Sequence, residues 1–240
     1  MLKTSFVQDG AIAIFSFEDE ADFNQVDREI SKACDSVRFE SDARVLLVTS
    51  KNESFLNKPR AAKDSIDAYF SQYISEVEVP VIGVVVGNAY GVGLELILAC
   101  DIRVCSVNSK FAMNHIVEGF LPSNGGTQLL PRIVGQGRAL DLMLSGRTFE
   151  SKEAHDIGVV QYVSDSSPLD EALNLAKTIS NYGPIATKYL KEAVKCGLDM
   201  SFDQGMKLEA DLSVILQSTS DRSEGIHSFL SGNQPRYKGI

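Results

Sequence analysis

Residues Pro80–Asp101 read PVIGVVVGNAYGVGLELILACD. The β-branched run Val81–Val86 has the composition of a buried strand. It ends in a glycine-studded turn, Gly87-Asn88-Ala89-Tyr90-Gly91-Val92-Gly93, and an apolar helix then begins that carries a single glutamate, Glu95. A helix start leaves its first backbone N–H groups without intrahelical partners, and these point outward together at the positive end of the helix dipole. Donors so arranged suit an oxyanion. Glu95 follows within a turn, so the stretch reads as a site for an enolate-like intermediate beside a carboxylate. A dinucleotide fingerprint fits poorly: the glycines run G-x3-G-x-G, and no acidic ribose partner is placed.

The chain has 240 residues, enough for one large domain or a domain with a small appendage, and enough to bury a core. Its apolar fraction of 44% and charged fraction of 23% are those of an ordinary globular protein. No apolar run reaches the ~18 residues that span a bilayer. The opening MLKTSFVQDG lacks the apolar segment of a signal peptide, so the expected compartment is the cytoplasm. Cys34, Cys100, Cys105 and Cys196 form no CxxC pair and read as reduced thiols, mostly in the core. His115, His155 and His227 are far apart and show no metal spacing. A net charge of −9 argues against nucleic acid or an anionic membrane as partner. An anionic ligand then needs a local basic patch.

The alternation of strand-like and helix-like segments predicts an α/β fold with largely parallel strands. Strands are expected at Ala11–Phe17, Ala43–Thr49, Pro80–Val86, Ile102–Val107, Phe111–Met113 and Val159–Val163. Helices are expected over Asp19–Val37 and Arg60–Ser75 and from the glycine turn to Ala99. After Gly125-Gly126 the pattern turns mainly helical: Thr127–Val134, Arg138–Leu144, a start at Ser151–Asp156, then Leu169–Asn181, Pro184–Cys196, Phe202–Ser218 and Arg222–Ser231. The last two carry apolar faces (Phe202, Met206, Leu212, then Ile226, Phe229) that suit oligomerisation or packing on the chain's own core.

Several segments in order resemble the crotonase superfamily, also called the enoyl-CoA hydratase/isomerase family. They are PVIGVVVGNAYGVGLELILACDIRV, FAMNHIVEGFLPSNGGTQLLPRIVG, ALDLMLSGRTFESKEAHDIGVV and the closing EGIHSFLSGNQPRYK. The likeness covers roughly residues 40–240. It implies a spiral of ββα repeats over 1–185 with the thioester site, and a helical oligomerisation region over 186–240 that forms a homotrimer or a dimer of trimers. It implies an acyl-CoA or acyl-carrier-protein thioester as partner. Coenzyme A or carrier phosphopantetheine is then part of the substrate, and no separate cofactor or metal is expected. By position, one oxyanion donor is the N–H of Val92, turned by Gly91. The other comes from the loop Phe55-Leu56-Asn57-Lys58-Pro59.

That loop departs from the family's small-residue turn. With Asn57 or Lys58 at the donor position the hole is complete; with Pro59 there one arm is lost, because proline has no N–H. A second departure concerns the acid/base pair. Family hydratases use two glutamates, one aligned with Glu95, and the other falls on His115. Histidine still serves as acid or base near neutral pH, and Glu118, three residues on, is an alternative second group if the segment is helical. Ser123 stands where relatives vary with reaction, so it can orient substrate or water, or cap the turn before Gly125. The basic cluster for CoA phosphates is thin: Arg236 and Lys238, with Arg60 and Lys58 from the other loop.

The leading expectation is an acyl-thioester enzyme of the hydratase/isomerase type with Glu95 as principal acid/base. A lone carboxylate favours double-bond isomerisation, and a pair favours hydration. The thin phosphate site motivates an alternative: a hydrolase, decarboxylase or dehydratase acting on a carrier-bound acyl group in a biosynthetic pathway. Pro59 and the replaced glutamate motivate another, a catalytically silent crotonase-like subunit.

Overall fold

The computed structural model describes residues 2–17, 23–50, 54–55 and 70–240, with the backbone at 23–24 and 54–55. The strands are β1 (Leu2–Val7), β2 (Ile12–Phe17), β3 (Val45–Ser50), β4 (Ser54–Phe55), β5 (Val81–Val85), β6 (Asn88–Tyr90), β7 (Ile102–Ser106), β8 (Lys110–Ala112), β9 (Thr148–Glu150) and β10 (Tyr162–Ser164). The helices are α1 (Phe23–Phe39), α2 (Phe70–Ser75), α3 (Val92–Leu98), α4 (Gly126–Val134), α5 (Gln136–Ser145), α6 (Ser151–Asp156), α7 (Pro168–Ser180), α8 (Pro184–Gly197), α9 (Phe202–Gln217) and α10 (Ser220–Ser231). A 3-10 turn covers His115–Glu118.

Two sheets run through the molecule. One has the order β1-β2-β3-β5-β7-β10 and the other β4-β6-β8-β9. The chain climbs in turns: β3, β4, α2, then β5, β6, α3, then β7, β8 and α4. Each turn thus gives one strand to each sheet and then a helix, which is the ββα spiral. β3, β5 and β7 pair in parallel, as do β4, β6 and β8. A strand in the middle of a parallel sheet is covered on both faces, and all residues of β3 and β5 are buried. One core cluster packs Phe15, Leu46, Phe70, Leu94, Ile97 and Phe149 on one side of the sheet. A second packs Ile12, Leu47, Ile82 and Val104 against α7 through Ala172 and Ala176.

Buried charges tie the layers together. Arg103 is enclosed and donates Nη1 to Cys100 O at 2.6 Å and Nε to Val159 O at 2.5 Å, so it caps the C-terminal end of α3. Asp101 accepts from Val81 N at 2.8 Å and pairs with Lys191 at 2.6 Å and Lys195 at 3.0 Å, which anchors α8 to the end of α3. Burial pushes Lys191 below the ordinary lysine range, and Asp101 opposes that push. Arg44 fastens the C-terminal tail through Tyr237 O at 2.7 Å.

Several features differ from the sequence reading, the unexpected strands β4 and β9 among them. β1 was not expected: its side chains are mostly exposed, so it has no apolar signature, and it exists by antiparallel pairing with β2. Asn88–Tyr90, read as turn, is a strand between β4 and β8. The strand expected over Val159–Val163 begins instead at Tyr162. Val159 and Val160 are buried as core, but the Val159 carbonyl serves Arg103 rather than a ladder. Of the helix expected over Arg60–Ser75, Phe70–Ser75 is present and the rest lies outside the described residues.

Candidate active site

The site is built where the second and third turns of the spiral meet. The Gly91 N–H donates to Ala112 O at 2.8 Å, which joins the glycine turn to the end of β8. Gly91 adopts φ +50°, ψ −119°, a backbone region that a side chain resists, and this lets the chain leave β6 directly into α3. Because the Gly91 N–H is spent, the outward donor of this turn is the N–H of Val92, the first residue of α3. It has no acceptor among the described residues.

One turn on, Glu95 is completely buried. Its Oε1 accepts two backbone N–H groups, from Asn124 at 2.8 Å and Gly126 at 2.9 Å. Gly126 opens α4 and Gly125, at φ +91°, is its N-cap. One donor from the first residue of α4 and one from just before its N-cap therefore close on the carboxylate, an arrangement that stabilises negative charge. The approach is tight: a Cβ at position 126 would lie 2.9 Å from Glu95 Oε1 and 2.9 Å from Pro122 Cβ.

The other carboxylate oxygen, Oε2, faces His115. Nε2 lies 3.1 Å from it, within ion-pair range. The contact lacks the alignment of a hydrogen bond, so Glu95 Oε2 and both His115 nitrogens have no hydrogen-bond partner among the described residues. The imidazole also stands over the glycine turn: a Cβ at Gly91 would lie 3.7 Å from its Cε1 and 3.8 Å from its Nε2. Carboxylate, imidazole and the Val92 turn thus share one small space. That set can move a proton at the carbon next to a carbonyl and activate a water.

The enoyl-CoA hydratase/isomerase family model matches residues 28–239. The chain belongs to the enoyl-CoA hydratase/isomerase family. It is 30% identical over 228 residues to the mitochondrial methylglutaconyl-CoA hydratase of Mus musculus, covering 88% of this chain and 73% of the relative. It is 37% identical over 161 residues to the 2,3-dehydroadipyl-CoA hydratase of Escherichia coli, 67% of this chain and 63% of that one. The crystal structure of enoyl-CoA hydratase from Bacillus anthracis superposes with a TM-score of 0.92 at 27% identity over 100% of this chain and 99% of that one. The fold is the crotonase fold, and the family acts on acyl-CoA thioesters.

The other expected site residues are dispersed. Glu118, at the end of the 3-10 turn, is exposed, whereas Glu95 is buried. Ser123 is half-buried and directly precedes the Asn124-Gly125-Gly126 turn. Arg236 and Lys238 lie on the tail, where their backbone N–H groups bind Glu224 and Asp221 of α10. Asn57, Lys58 and Arg60 lie outside the described residues. The sequence reading passed over Asn124 and Gly126 as ligands of Glu95. Their signal was the adjacent glycine pair, which marks a place where backbone comes close to something. No helix among the described residues is long and apolar enough to cross a membrane.

Proposed function

We propose that this protein is a 2-enoyl-CoA hydratase whose acid/base pair is a glutamate and a histidine. The observation that carries the reading is the 3.1 Å approach of His115 Nε2 to Glu95 Oε2, with both atoms otherwise unpaired. The thioester carbonyl accepts the Val92 N–H and a second donor from the 55–59 loop. Glu95, as carboxylate, takes a proton from water through Oε2. The water oxygen bonds to Cβ, and the Cα=Cβ electron pair moves to give a thioester enolate. His115, as imidazolium, gives its Nε2 proton to Cα. The result is a 3-hydroxyacyl thioester with Glu95 protonated and His115 neutral. Proton transfer across the 3.1 Å contact restores the starting pair. Imidazolium does for this chain what a second, protonated carboxyl does in a glutamate pair. Glu118, exposed at the end of the 3-10 turn, is not needed in this scheme.

The C-terminal helices support a homo-oligomer. α8 buries none of its residues within the chain, and Leu190, Leu198, Phe202, Phe229 and Leu230 are each more than two-thirds exposed. A homotrimer, or a pair of them, covers such faces. Arg236 and Lys238, with Arg60, are the proposed contacts for the CoA phosphates.

The test is mass spectrometry in D₂O with saturated, 2-enoyl and 3-enoyl CoA thioesters. Water gain on the 2-enoyl ester, reduced by about 10²- to 10⁴-fold in both Glu95→Gln and His115→Ala, is expected. Shift of the double bond in the 3-enoyl ester without water gain in the 2-enoyl ester would move the assignment to isomerase. Full activity in Glu95→Gln would remove the mechanism.

A further inference from the structure

Asn114 is the N-cap of the 3-10 turn, yet its side chain makes no cap hydrogen bond. An asparagine in that place ordinarily turns its carboxamide onto the first N–H groups of the turn. Here only the main chain of Asn114 closes the turn, its carbonyl accepting from Val117 N at 3.0 Å. The carboxamide reaches across to the glycine turn instead. Its Oδ1 lies 3.3 Å from where a Cβ of residue 91 would stand, and His115 Cε1 and Nε2 lie 3.7 and 3.8 Å from the same point. The carboxamide has no hydrogen-bond partner among the described residues. Asn114 is half-buried, and its unpaired amide keeps contact with solvent.

That point on the glycine turn is also where a ligand oxygen would sit. A planar trans peptide directs the Val92 N–H to the same side as the Gly91 Cα. At a tetrahedral carbon the Cβ direction is turned by about 120° from the main-chain N, so at ψ −119° it is nearly eclipsed with the Val92 nitrogen. An acceptor about 2.9 Å out along that N–H therefore lies roughly 2.4 Å from the Cβ point. A side chain at 91 would displace it, a second reason for glycine beside the φ of +50°. With Asn114 Oδ1 3.3 Å from the same point, the carboxamide is at most about 5.7 Å from the acceptor. Rotation about its χ1 and χ2 closes that span, and a half-turn about χ2 brings Nδ2 to the place of Oδ1 without breaking a hydrogen bond. We propose that Asn114 is a further donor of the oxyanion hole, its Nδ2 binding the thioester oxygen held by the Val92 N–H. This rests on the hydratase reading and deepens it. The oxygen gains negative charge as the Cα=Cβ electrons move, so the donor binds the enolate more strongly than the ground-state carbonyl. Val92 and Asn114 together supply two donors, beside any from the 55–59 loop.

The test reads the bound carbonyl directly. A saturated acyl-CoA carrying ¹³C at the thioester carbonyl is bound to each protein, and its C=O stretch is taken from isotope-edited infrared difference spectra. Hydration of a 2-enoyl-CoA is measured alongside. In the wild type the stretch is expected below that of the free ester, because the donors polarise the bond. Asn114→Ala is expected to return part of that shift and to lower kcat/KM by about 10²- to 10³-fold, the usual loss for one oxyanion donor. Asn114→Asp keeps the size and the capping oxygens but offers no N–H, and is expected to lose at least as much. Asn114→Ser, which keeps a hydroxyl donor, is expected to recover some of both. The Tm of Asn114→Ala should hardly move, since no cap bond is removed. A carbonyl stretch in Asn114→Ala equal to that of the wild type overturns the proposal, whatever happens to the rates. Wild-type protein that does not bind the ester, or binds it with the stretch of the free ester, overturns the acyl-thioester reading itself, a separate result.

Discussion

Gly126→Ala is the substitution that best separates the anchoring of Glu95 from the rest of the fold. Alanine suits the first turn of a helix better than glycine by about 1 kcal/mol, and Gly126 does not occupy the left-handed region. On local grounds the change is favourable. The added Cβ, however, would sit 2.9 Å from Glu95 Oε1 and 3.0 Å from its Cγ, against an ordinary contact of 3.4 Å or more. The carboxylate must retreat by about 0.5 Å, the difference between those distances. It is fully buried, and Pro122 blocks the alternative shift of the new methyl at 2.9 Å. Retreat lengthens the hydrogen bonds from Asn124 and Gly126. Each is charge-assisted, worth about 1.5–3 kcal/mol.

Loss of about one such bond predicts a 10- to 100-fold fall in kcat/KM for hydration, read from disappearance of the conjugated thioester absorbance. Overpacking costs about 1–3 kcal/mol, partly offset by helix propensity, so Tm drops by only a few degrees. Gly137→Ala is the control. It too lies in a helix, and a Cβ there meets nothing within 4 Å. It should gain about 0.4–1 kcal/mol in stability and keep full activity. If Gly126→Ala retained more than half of wild-type kcat/KM, the two-donor grip on Glu95 would not be what sets the rate.

Lys191→Met is expected to cost about 2–3 kcal/mol in denaturant unfolding, because the ammonium it removes is buried against Asp101. Lys195→Met, at a far more exposed lysine, should cost less than about 1 kcal/mol; equal costs would show that burial is not the deciding factor. Burial raises the thiols of Cys34, Cys100 and Cys105 to about 12, and Cys196 is exposed. Iodoacetamide at pH 8 should therefore add one label to the folded protein and four after unfolding, counted by intact mass. Glu153 is held below the usual carboxylate range first by its hydrogen bond from Arg147. A carboxyl depressed in the fold contributes stability at neutral pH and loses it as pH falls through its folded value. Arg147→Leu should thus lower Tm slightly at pH 7, by well under what a buried pair would cost since both groups are over a third exposed. It should not change Tm at pH 2, and an equal loss at both pH values would sink this account.

The spiral was legible because its parallel strands are buried on both faces and so read as apolar runs, as in Val81–Val85 and residues 45–48. The helices were legible from their apolar periodicity and from breaks such as Gly135 and Gly158. The strands of the second sheet were not, except Phe111–Met113, which falls one residue late. β6 and β9 have three residues each, too few to carry a period, and they exist through pairing with β8. Glu95 stood out because an isolated charge in an apolar helix has no local reason to be there. The partners of Glu95 were harder to see, because what they contribute is main-chain N–H, which every residue but proline carries. The identity of Asn124 says nothing about its donor. Only the position of the turn does.

That division bears on the proposed glutamate–histidine pair. The Glu95 grip is made by backbone groups of the Asn124–Gly126 turn, so it is indifferent to the residue at 115. His115 in turn is positioned by the 3-10 turn, which Phe120 N closes onto His115 O at 3.0 Å and which ends at Gly119 with φ +77°. Neither member of the pair is held by hydrogen bonding to the other, as their unaligned contact shows. A pair fixed by separate scaffolds can exchange one member without losing the geometry of the other. What changes is the charge carried into the reaction. In a glutamate pair one carboxyl gains a proton as the other gives one up, so the pair carries one negative charge throughout. In the proposed glutamate–histidine pair a carboxylate and an imidazolium become a neutral carboxyl and a neutral ring, so the pair carries no net charge at either end of the addition. His115→Glu, which makes the pair two carboxyls, should retain hydration while leaving the Asn124–Gly126 grip on Glu95 in place, read from water gain on a 2-enoyl-CoA.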